Sequence, residues 1–346
     1  MRALTISAHG GIEQLQLRDD VPLPELRTSD DVRIQIRATA LNHLDLFVLR
    51  GIPGVTITPG WIMGSDGAGV VDAVGATVRN VAPGDPVIIN PGISDRTCEY
   101  CRDGEQSLCV RYKLLGEHLP GTTAEYVVVP AANVRRIAAG TPWDVAAALP
   151  LVSLTAWRMV VTRAQVREAD TVLIWGIGGG VAQSAMQIAK ARGARVWVTS
   201  GSDAKLERAT QLGADAVFNH RTQDVAKEIR ARTGKRGVDV VLDNVGEATW
   251  AQSLLALGKR GRLVTCGGTS GPMVQTDVRR LFWNQWTIMG STMGNDREFA
   301  DMLEAFAAGV IAPVVDSVHE LDQGRAAFER LASAEHFGKV VIRVSR

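Results

Sequence analysis

Apolar positions change their rhythm about 140 residues into the chain. Before that point they alternate with polar ones over short stretches. Asp31 to Ala40, Gly67 to Val74 and Pro86 to Ile89 read as strands. Pro-Gly pairs at Pro53, Pro59, Pro83 and Pro91 mark turns between such stretches. Residues 1–135 therefore read as all-β. Over 144–163 the spacing becomes helical, with Val145, Ala148 and Leu149, then Leu154, Trp157 and Val160 at intervals of three and four. From 171 the pattern is strand, helix, strand, repeatedly. It predicts strands at 171–175, 195–199, 216–218, 238–242 and 261–266, with helices at 181–192, 203–212, 223–232 and 248–257. Such alternation with short links predicts an open parallel sheet. Residues 286–290 add one more strand, and a helix near 296–308 follows. A helix near 322–333 and a strand at 339–344 do not continue the rhythm.

The sharpest chemical signal lies at 171–182, T-V-L-I-W-G-I-G-G-G-V-A. A β-branched run stops at a glycine cluster and turns into a helix. Gly176, Gly178, Gly179 and Gly180 let the backbone approach a pyrophosphate. The helix beyond them aims unpaired N–H groups at the anion. The strict dinucleotide spacing fails, because Val181 holds the last glycine position. The strand before, the helix after and a second strand about twenty residues on restore it.

The formal charge of +1 gives no reason to expect nucleic acid or a membrane surface as partner. No apolar window reaches bilayer length and no signal or lipidation motif is visible, so a cytoplasmic protein is expected. Three of the four cysteines crowd into residues 98–109, which is metal spacing rather than a disulfide framework.

Several motifs now converge. They are the Pro59-Gly60 turn with Gly64-Ser65-Asp66-Gly67-Ala68-Gly69-Val70-Val71, the turn Gly84-Asp85-Pro86-Val87, and Cys98-x2-Cys101-x7-Cys109. With the glycine loop, they make the whole chain resemble the medium-chain dehydrogenase/reductase superfamily, which includes zinc alcohol dehydrogenases and quinone oxidoreductases. The resemblance implies an α/β fold: a GroES-like β catalytic domain plus a Rossmann doubly wound parallel sheet. Residues 1–152 and 293–346 would form the catalytic domain, with a zinc lobe at 92–112, and 153–292 the cofactor domain.

Family alcohol dehydrogenases hold a catalytic zinc. Its ligand positions map here to Asn42, Ser65 and Leu151, none a good zinc ligand. His43 and Asp66 lie beside them, and neighbours on a strand face opposite ways. The pattern instead resembles quinone oxidoreductases, with Asn42 and Asp45 as the family's N-x-x-D and Asp66 in place of a glutamate. This reading places Asn42, Asp45 and Ser65 at the catalytic centre; the plainer one has Asp45 pairing with an arginine. Phe47 stands where many quinone reductases have tyrosine, so no phenol donates a proton there. The family lobe has four ligands, and counting back three from Cys98 gives Asp95. Asp95, Cys98, Cys101 and Cys109 make a sound set for one structural zinc, the alternative being a metal-free lobe.

NAD-preferring members close the second sheet strand with an acid; here Ser200 holds that place. Ser200, Ser202 and Lys205, with His220 or Arg221 from the next loop, are candidates for a 2′-phosphate, and NADP(H) is expected over NAD(H). Lys205 is otherwise a solvated helix lysine. Asn244 and Val245, Gly267 and Gly268, and Ser291 and Thr292 follow strand ends and would line the nicotinamide. The expected reaction is hydride transfer from NADPH to a quinone or α,β-unsaturated carbonyl without catalytic zinc, with the Asn42 amide steadying the developing oxyanion. Two rivals stand beside it: a zinc alcohol dehydrogenase with an unusual ligand set, and a catalytically silent NADPH-binding protein. Trp61, Leu119, Leu151, Phe282 and Trp283 are candidates for an apolar substrate wall. The resemblance also implies a homodimer through the 286–290 edge, or a homotetramer supported by the 95–112 lobe.

Overall fold

Strand Thr171–Ile174 is buried along its whole length. That is the mark of a strand covered on both faces. It sits inside a parallel sheet ordered Ala216–Asn219, Arg195–Ser200, Thr171–Ile174, Val238–Asp243, Leu257–Thr265, Thr287–Gly290. The structure is a computed structural model that describes residues 1–345. Helices Gly180–Ala191, Asp203–Gln211, Val225–Arg232 and Glu247–Ala256 link successive strands. These elements fall within a few residues of the sequence pattern. Strand Leu257–Thr265 starts four residues early, because Leu257 already pairs with Val238 before a bulge. Helix Val278–Asn284 was not expected. It leaves Phe282 64% and Trp283 75% exposed in this structure, so neither walls a pocket within this unit.

The chain divides into two compact units. The parallel sheet belongs to one, made of Ser153–Gly294 and Ala300–Ala312. The other comprises Met1–Val152, Asn295–Phe299 and Pro313–Arg346. Residues 300–312 thus pack with the sheet unit, against the expected grouping of 293–346. The Gln187 side chain holds them, donating to the Ala312 carbonyl at 3.0 Å and accepting its N–H at 2.6 Å.

The first unit is built on a mainly antiparallel sheet. Its path runs Val134–Arg136, Pro86–Ile89, Ala68–Val74, Asp31–Ala40, Lys339–Arg343, Val315–Glu320, and Tyr126–Pro130 pairs with Asp31–Ala40. Lys339–Arg343 therefore inserts between Asp31–Ala40, distant in sequence, and the nearby Val315–Glu320. Strand Val315–Glu320 was missed, since V-D-S-V-H-E carries too few apolar residues. It runs parallel to Lys339–Arg343 through helix Gly324–Ala332. Ile34, Ile36, Leu46, Leu49, Val87, Phe328 and Ile342 share one buried core.

Two further expectations are corrected. Residues 1–135 are not all-β, because His43–Arg50 is a helix. Asn42 caps it, and the Asp45 carboxylate accepts the Asn42 N–H at 2.7 Å. That is a helix-start signal read over by the strand assignment. The 144–163 helix is broken into Trp143–Ala147 and Pro150–Trp157, followed by a wide π-type turn over Arg158–Arg163. Pro150 has no N–H to continue the first helix.

Candidate active site

In the sheet unit, the expected cofactor residues gather at the carboxyl ends of the strands, where open α/β sheets bind ligands. Gly176 adopts φ +71°, a conformation that side-chain-bearing residues resist. Its N–H bonds the Thr199 hydroxyl at 3.2 Å, and the Ile177 N–H bonds the Thr199 carbonyl at 2.9 Å. Gly179 caps helix Gly180–Ala191 without a side-chain acceptor, and the first turn holds no acid. Val181 lies in that turn, and the loop of Gly178 and Gly180 stays free of side chains. A Cβ built on Gly179 would meet only the Gly176 carbonyl at 3.7 Å. Open space before uncapped N–H groups fits a pyrophosphate.

Beside this loop is a cavity of about 230 Å³ lined by Trp175, Gly176, His220, Gln223, Val245 and Thr249 among others. His220 packs at 6.1 Å from Trp175 ring to ring, and burial lowers its pKa, followed by the Arg221 charge. The Trp175 indole N–H is buried with no acceptor. At the end of Arg195–Ser200, the Ser200 hydroxyl accepts the Ser202 N–H at 3.1 Å. Asp203, the nearest acid, is tied to the Asn219 amide at 2.7 Å. Arg221 lies across Gly201, so close that a Cβ there would sit 2.7 Å from its Nε. Lys205 is half-buried on the helix that follows. The Ser291 N–H bonds the Thr265 carbonyl at 2.8 Å, and its buried hydroxyl has no partner, beside Thr292 at the last strand end.

Sequence reading missed Asp243. It is fully buried at the end of Val238–Asp243 and accepts from the Val245 and Gly246 N–H groups at 2.9 and 3.0 Å. The Thr249 and Ser253 hydroxyls donate to it at 2.8 and 2.7 Å. This carboxylate fixes the loop of Asn244 and Val245. Gly246, at φ +88°, closes back on the Gly268 and Gly271 backbone, so the Gly267-Gly268 loop packs against it. The signal was present as an acid ending the largely apolar run V-D-V-V-L-D.

In the other unit, two of the three positions mapped to catalytic zinc ligands, Asn42 and Leu151, converge on a carboxylate, joined there by Lys339. Asp66 Oδ2 accepts from Asn42 Nδ2 at 2.9 Å and from Lys339 Nζ at 3.0 Å, while Oδ1 accepts the Leu151 N–H at 2.8 Å. Lys339 also donates a very short bond to Asn42 Oδ1. Asp66 is wholly buried and Lys339 is 4% exposed. Lys339 was missed, although a single lysine inside F-G-K-V-V-I is the sort of buried charge that needs a partner.

Two expected roles are corrected by this geometry. The second Asn42 amide hydrogen goes to the Ala40 carbonyl at 3.3 Å, so the amide has no donor left for an oxyanion. Ser65 is fully buried and gives its hydroxyl to the Leu115 carbonyl at 2.8 Å. It anchors a turn. Among the described residues Asp45 pairs with no arginine; burial pushes its carboxyl up to about 7, against the Asn42 N–H and the Lys339 charge. His43, half-buried and near Lys339, has its pKa lowered by desolvation and then by that charge.

The cysteine lobe is closed by strands Gly92–Ile93 and Lys113–Leu114. The ligand atoms of Asp95, Cys98, Cys101 and Cys109 all lie within 4.8 Å of one another. Sulfurs of a tetrahedral zinc site stand about 3.8 Å apart, so this cluster fits the ion. Asp95 Oδ1 accepts the Thr97 and Cys98 N–H groups at 2.9 and 3.0 Å, which holds the carboxyl well below its usual range. The Cys109 sulfur accepts the Asp95 and Arg111 N–H groups at 3.2 and 3.3 Å.

A glycine-loop parallel sheet joined to a β unit with a four-ligand lobe defines a nucleotide-dependent oxidoreductase class. Residues 28–139 match the family described as alcohol dehydrogenase GroES-like domain, and 180–308 that described as zinc-binding dehydrogenase. The chain is 32% identical, over 96% of each chain, to a zinc-type alcohol dehydrogenase-like protein of Schizosaccharomyces pombe. It is 30% identical, over 99% of each, to an acryloyl-coenzyme A reductase of Metallosphaera sedula. The crystal structure of an NAD-dependent alcohol dehydrogenase superposes with a TM-score of 0.94 at 42% identity, covering 100% of both chains. The chain belongs to the medium-chain dehydrogenase/reductase superfamily, with its GroES-like and Rossmann-like domains, and is an oxidoreductase of that type.

Proposed function

We propose that this protein reduces an α,β-unsaturated carbonyl or a quinone with a nicotinamide dinucleotide and without a catalytic metal. The observation that carries this reading is the paired Asp66 carboxylate. Three donors, one a buried ammonium, engage both its oxygens where two of the family's zinc-ligand positions, Asn42 and Leu151, meet. Asn42, Ser65 and the Leu151 backbone add no thiolate or imidazole. A salt bridge thus ties together the segments a zinc ion would otherwise join. Without a Lewis acid, a conjugated acceptor is the easier hydride target, since conjugation spreads the incoming charge. The acryloyl-coenzyme A reductase among the relatives supports this; the NAD-dependent alcohol dehydrogenase structure supports the rival, zinc-dependent alcohol oxidation.

The bound dihydronicotinamide supplies the hydride. The chain's own residues position it: the glycine loop for the pyrophosphate, the Trp175 cavity for the purine, and Asn244, Val245, Gly267, Gly268, Ser291 and Thr292 for the nicotinamide end. NADP(H) is the proposed preference, because Ser200 replaces an acid, Asp203 is turned to Asn219, and Arg221 covers Gly201 beside Ser202 and Lys205. Asp95, Cys98, Cys101 and Cys109 hold one structural zinc. A second copy pairs along the bare edge Thr287–Gly290, flanked by exposed Phe282 and Trp283; the lobe at 95–112 is the proposed second contact of a tetramer. Among the described residues no helix is long and apolar enough to cross a membrane. Four cysteines outside any disulfide fit the reducing cytoplasm as its proposed location.

The test is a panel of enones, enoyl thioesters, quinones and alcohols with NADPH and NADH, alongside metal analysis. Reduction of conjugated acceptors with one zinc per chain is expected. Alcohol oxidation that needs a second zinc replaces this reading with the rival; tight NADPH binding without turnover of any acceptor favours the silent binder. Arg221→Ala is expected to raise the KM for NADPH about tenfold and leave that for NADH unchanged; equal effects on both remove Arg221 from the assignment.

A further inference from the structure

The cysteine lobe turns on a strained residue. Arg96, between the ligands Asp95 and Cys98, adopts φ +58°, a left-handed conformation that residues with a Cβ resist. Glycine would make this turn without strain. What glycine lacks is the guanidinium. Arg96 Nη1 and Nη2 donate to the two Asp296 carboxylate oxygens at 2.6 and 3.3 Å, a bidentate pair. Gln106, from the segment that leads to Cys109, grips the same residue. Its Oε1 accepts the Asp296 N–H at 3.2 Å, and its amide donates to the Cys101 carbonyl at 3.4 Å. Every ligand-bearing segment of the lobe thus bears on Asp296, and Asn295–Phe299 groups with the lobe in one unit.

Asp296 opens helix Asp296–Ala307. Reciprocal bonds fix its first turn: the Glu298 N–H donates to Asn295 Oδ1 at 2.8 Å, and the Asn295 N–H to Glu298 Oε2 at 2.7 Å. Upstream, the chain leaves strand Thr287–Gly290 under two further bonds. Arg163 Nε donates to the Gly290 carbonyl at 3.0 Å, and the Ser291 N–H to the Thr265 carbonyl at 2.8 Å. Only Thr292, Met293 and Gly294 lie between these bonds and the fixed turn. Met293 bends there at φ +46°, a second left-handed residue with a side chain. So short a stretch passes a shift of Asp296 on to Ser291 and Thr292, because each residue spans at most about 3.6 Å.

We infer that the metal lobe is an anchor for residues 291–299, with Arg96 as the positioning residue that joins them. Zinc bound to Asp95, Cys98, Cys101 and Cys109 draws their segments to fixed distances from one ion. Arg96 and Gln106 then hold Asp296, and Asp296 sets where Ser291 and Thr292 lie. The strain at Arg96 has its reason in this contact, since the turn must carry a guanidinium. The inference rests on the structural-zinc reading of the lobe. Its cofactor arm rests also on the proposed place of Ser291 and Thr292 at the nicotinamide. Zinc and dinucleotide are then linked ligands, each tightening the other by the same factor.

The test compares wild type, Arg96→Gly and Asp296→Asn, each loaded with zinc and after stripping with a chelator. Zinc content is read by native mass spectrometry, amide hydrogen exchange over 291–299, and NADPH binding by fluorescence. Stripping the wild type is expected to speed exchange over 291–299 roughly tenfold or more, while strand Thr171–Ile174 keeps its protection. Arg96→Gly and Asp296→Asn keep one zinc yet exchange like the stripped wild type. The NADPH dissociation constant rises about fivefold in both variants and in the stripped wild type. Saturating NADPH tightens zinc about fivefold in the wild type and not in the variants. An ion pair with a merely structural role would leave that linkage in place. Zinc-loaded variants with wild-type exchange and wild-type linkage overturn the inference, as does a stripped wild type that exchanges like the loaded one. A zinc-loaded wild type that binds no NADPH overturns the cofactor reading alone, and exchange still decides the anchor. A wild type that takes up no zinc overturns the lobe reading and the inference together.

Discussion

Replacing Lys339 by methionine isolates the ion pair that stands in the mapped metal position. The stem is kept and the ammonium is lost. Asp66, fully buried, then retains two N–H donors, from Asn42 and Leu151. Removing one partner of a buried pair costs about 3–5 kcal/mol. The two remaining donors place the loss near the lower end, about 3 kcal/mol by the same reasoning. For a unit of this size each kcal/mol moves Tm by roughly 2–4 °C, so a fall of about 6–12 °C is expected by calorimetry. Asp66→Asn alone is likewise destabilising. The double variant Asp66→Asn/Lys339→Met should lose less than the sum of the single losses by about 2 kcal/mol, since it strands no charge. A Lys339→Met loss under about 1 kcal/mol, or single losses that add within about 0.5 kcal/mol, would show that no such coupling exists.

Asp45 predicts a pH dependence. Burial raises its carboxyl to about 7 in the folded protein, against about 4 unfolded. The folded state therefore binds the extra proton between those values, and stability falls as pH rises through that window, by up to about 1.4 kcal/mol per unit. Asp45→Asn should flatten urea midpoints measured from pH 4 to 8; parallel curves would contradict the burial argument. Cys101→Ser should abolish the single zinc seen by mass spectrometry and lower Tm, whereas equal metal content in both proteins would rule out the four-ligand lobe. Asp243→Asn leaves one acceptor oxygen for donors that now reach two, at 2.7–3.0 Å. It should weaken NADPH binding about tenfold or more in a fluorescence titration; an unchanged constant would detach Asp243 from the cofactor loop.

The parallel sheet was legible because each of its strands is an apolar run closed by turn chemistry and followed by a helical period. Strand Val315–Glu320 was not, since it lies half in water and alternates weakly. The Asn42-to-Asp45 helix start is written in the sequence, yet the surrounding strands led the eye past it. The positive-φ turn at Gly176 and the clustering of Asp95 with the three cysteines were legible as local motifs, because close backbone approach and metal ligation each demand particular residue types. Asp66, Lys339 and Leu151 come from segments 85 and 273 residues apart from the carboxylate they share. No local pattern encodes such a meeting; it exists only once the sheet has formed.

Strand Lys339–Arg343 inserts beside Asp31–Ala40, and its first residue completes a cluster begun at Asn42. During synthesis, the carboxylate of the earlier segment must therefore wait for its cation until residue 339 has been made. A nascent chain halted before residue 339 holds Asp66 without its ammonium and lacks the strand that joins Asp31–Ala40 to Val315–Glu320. A truncation there would thus damage a segment made 273 residues earlier.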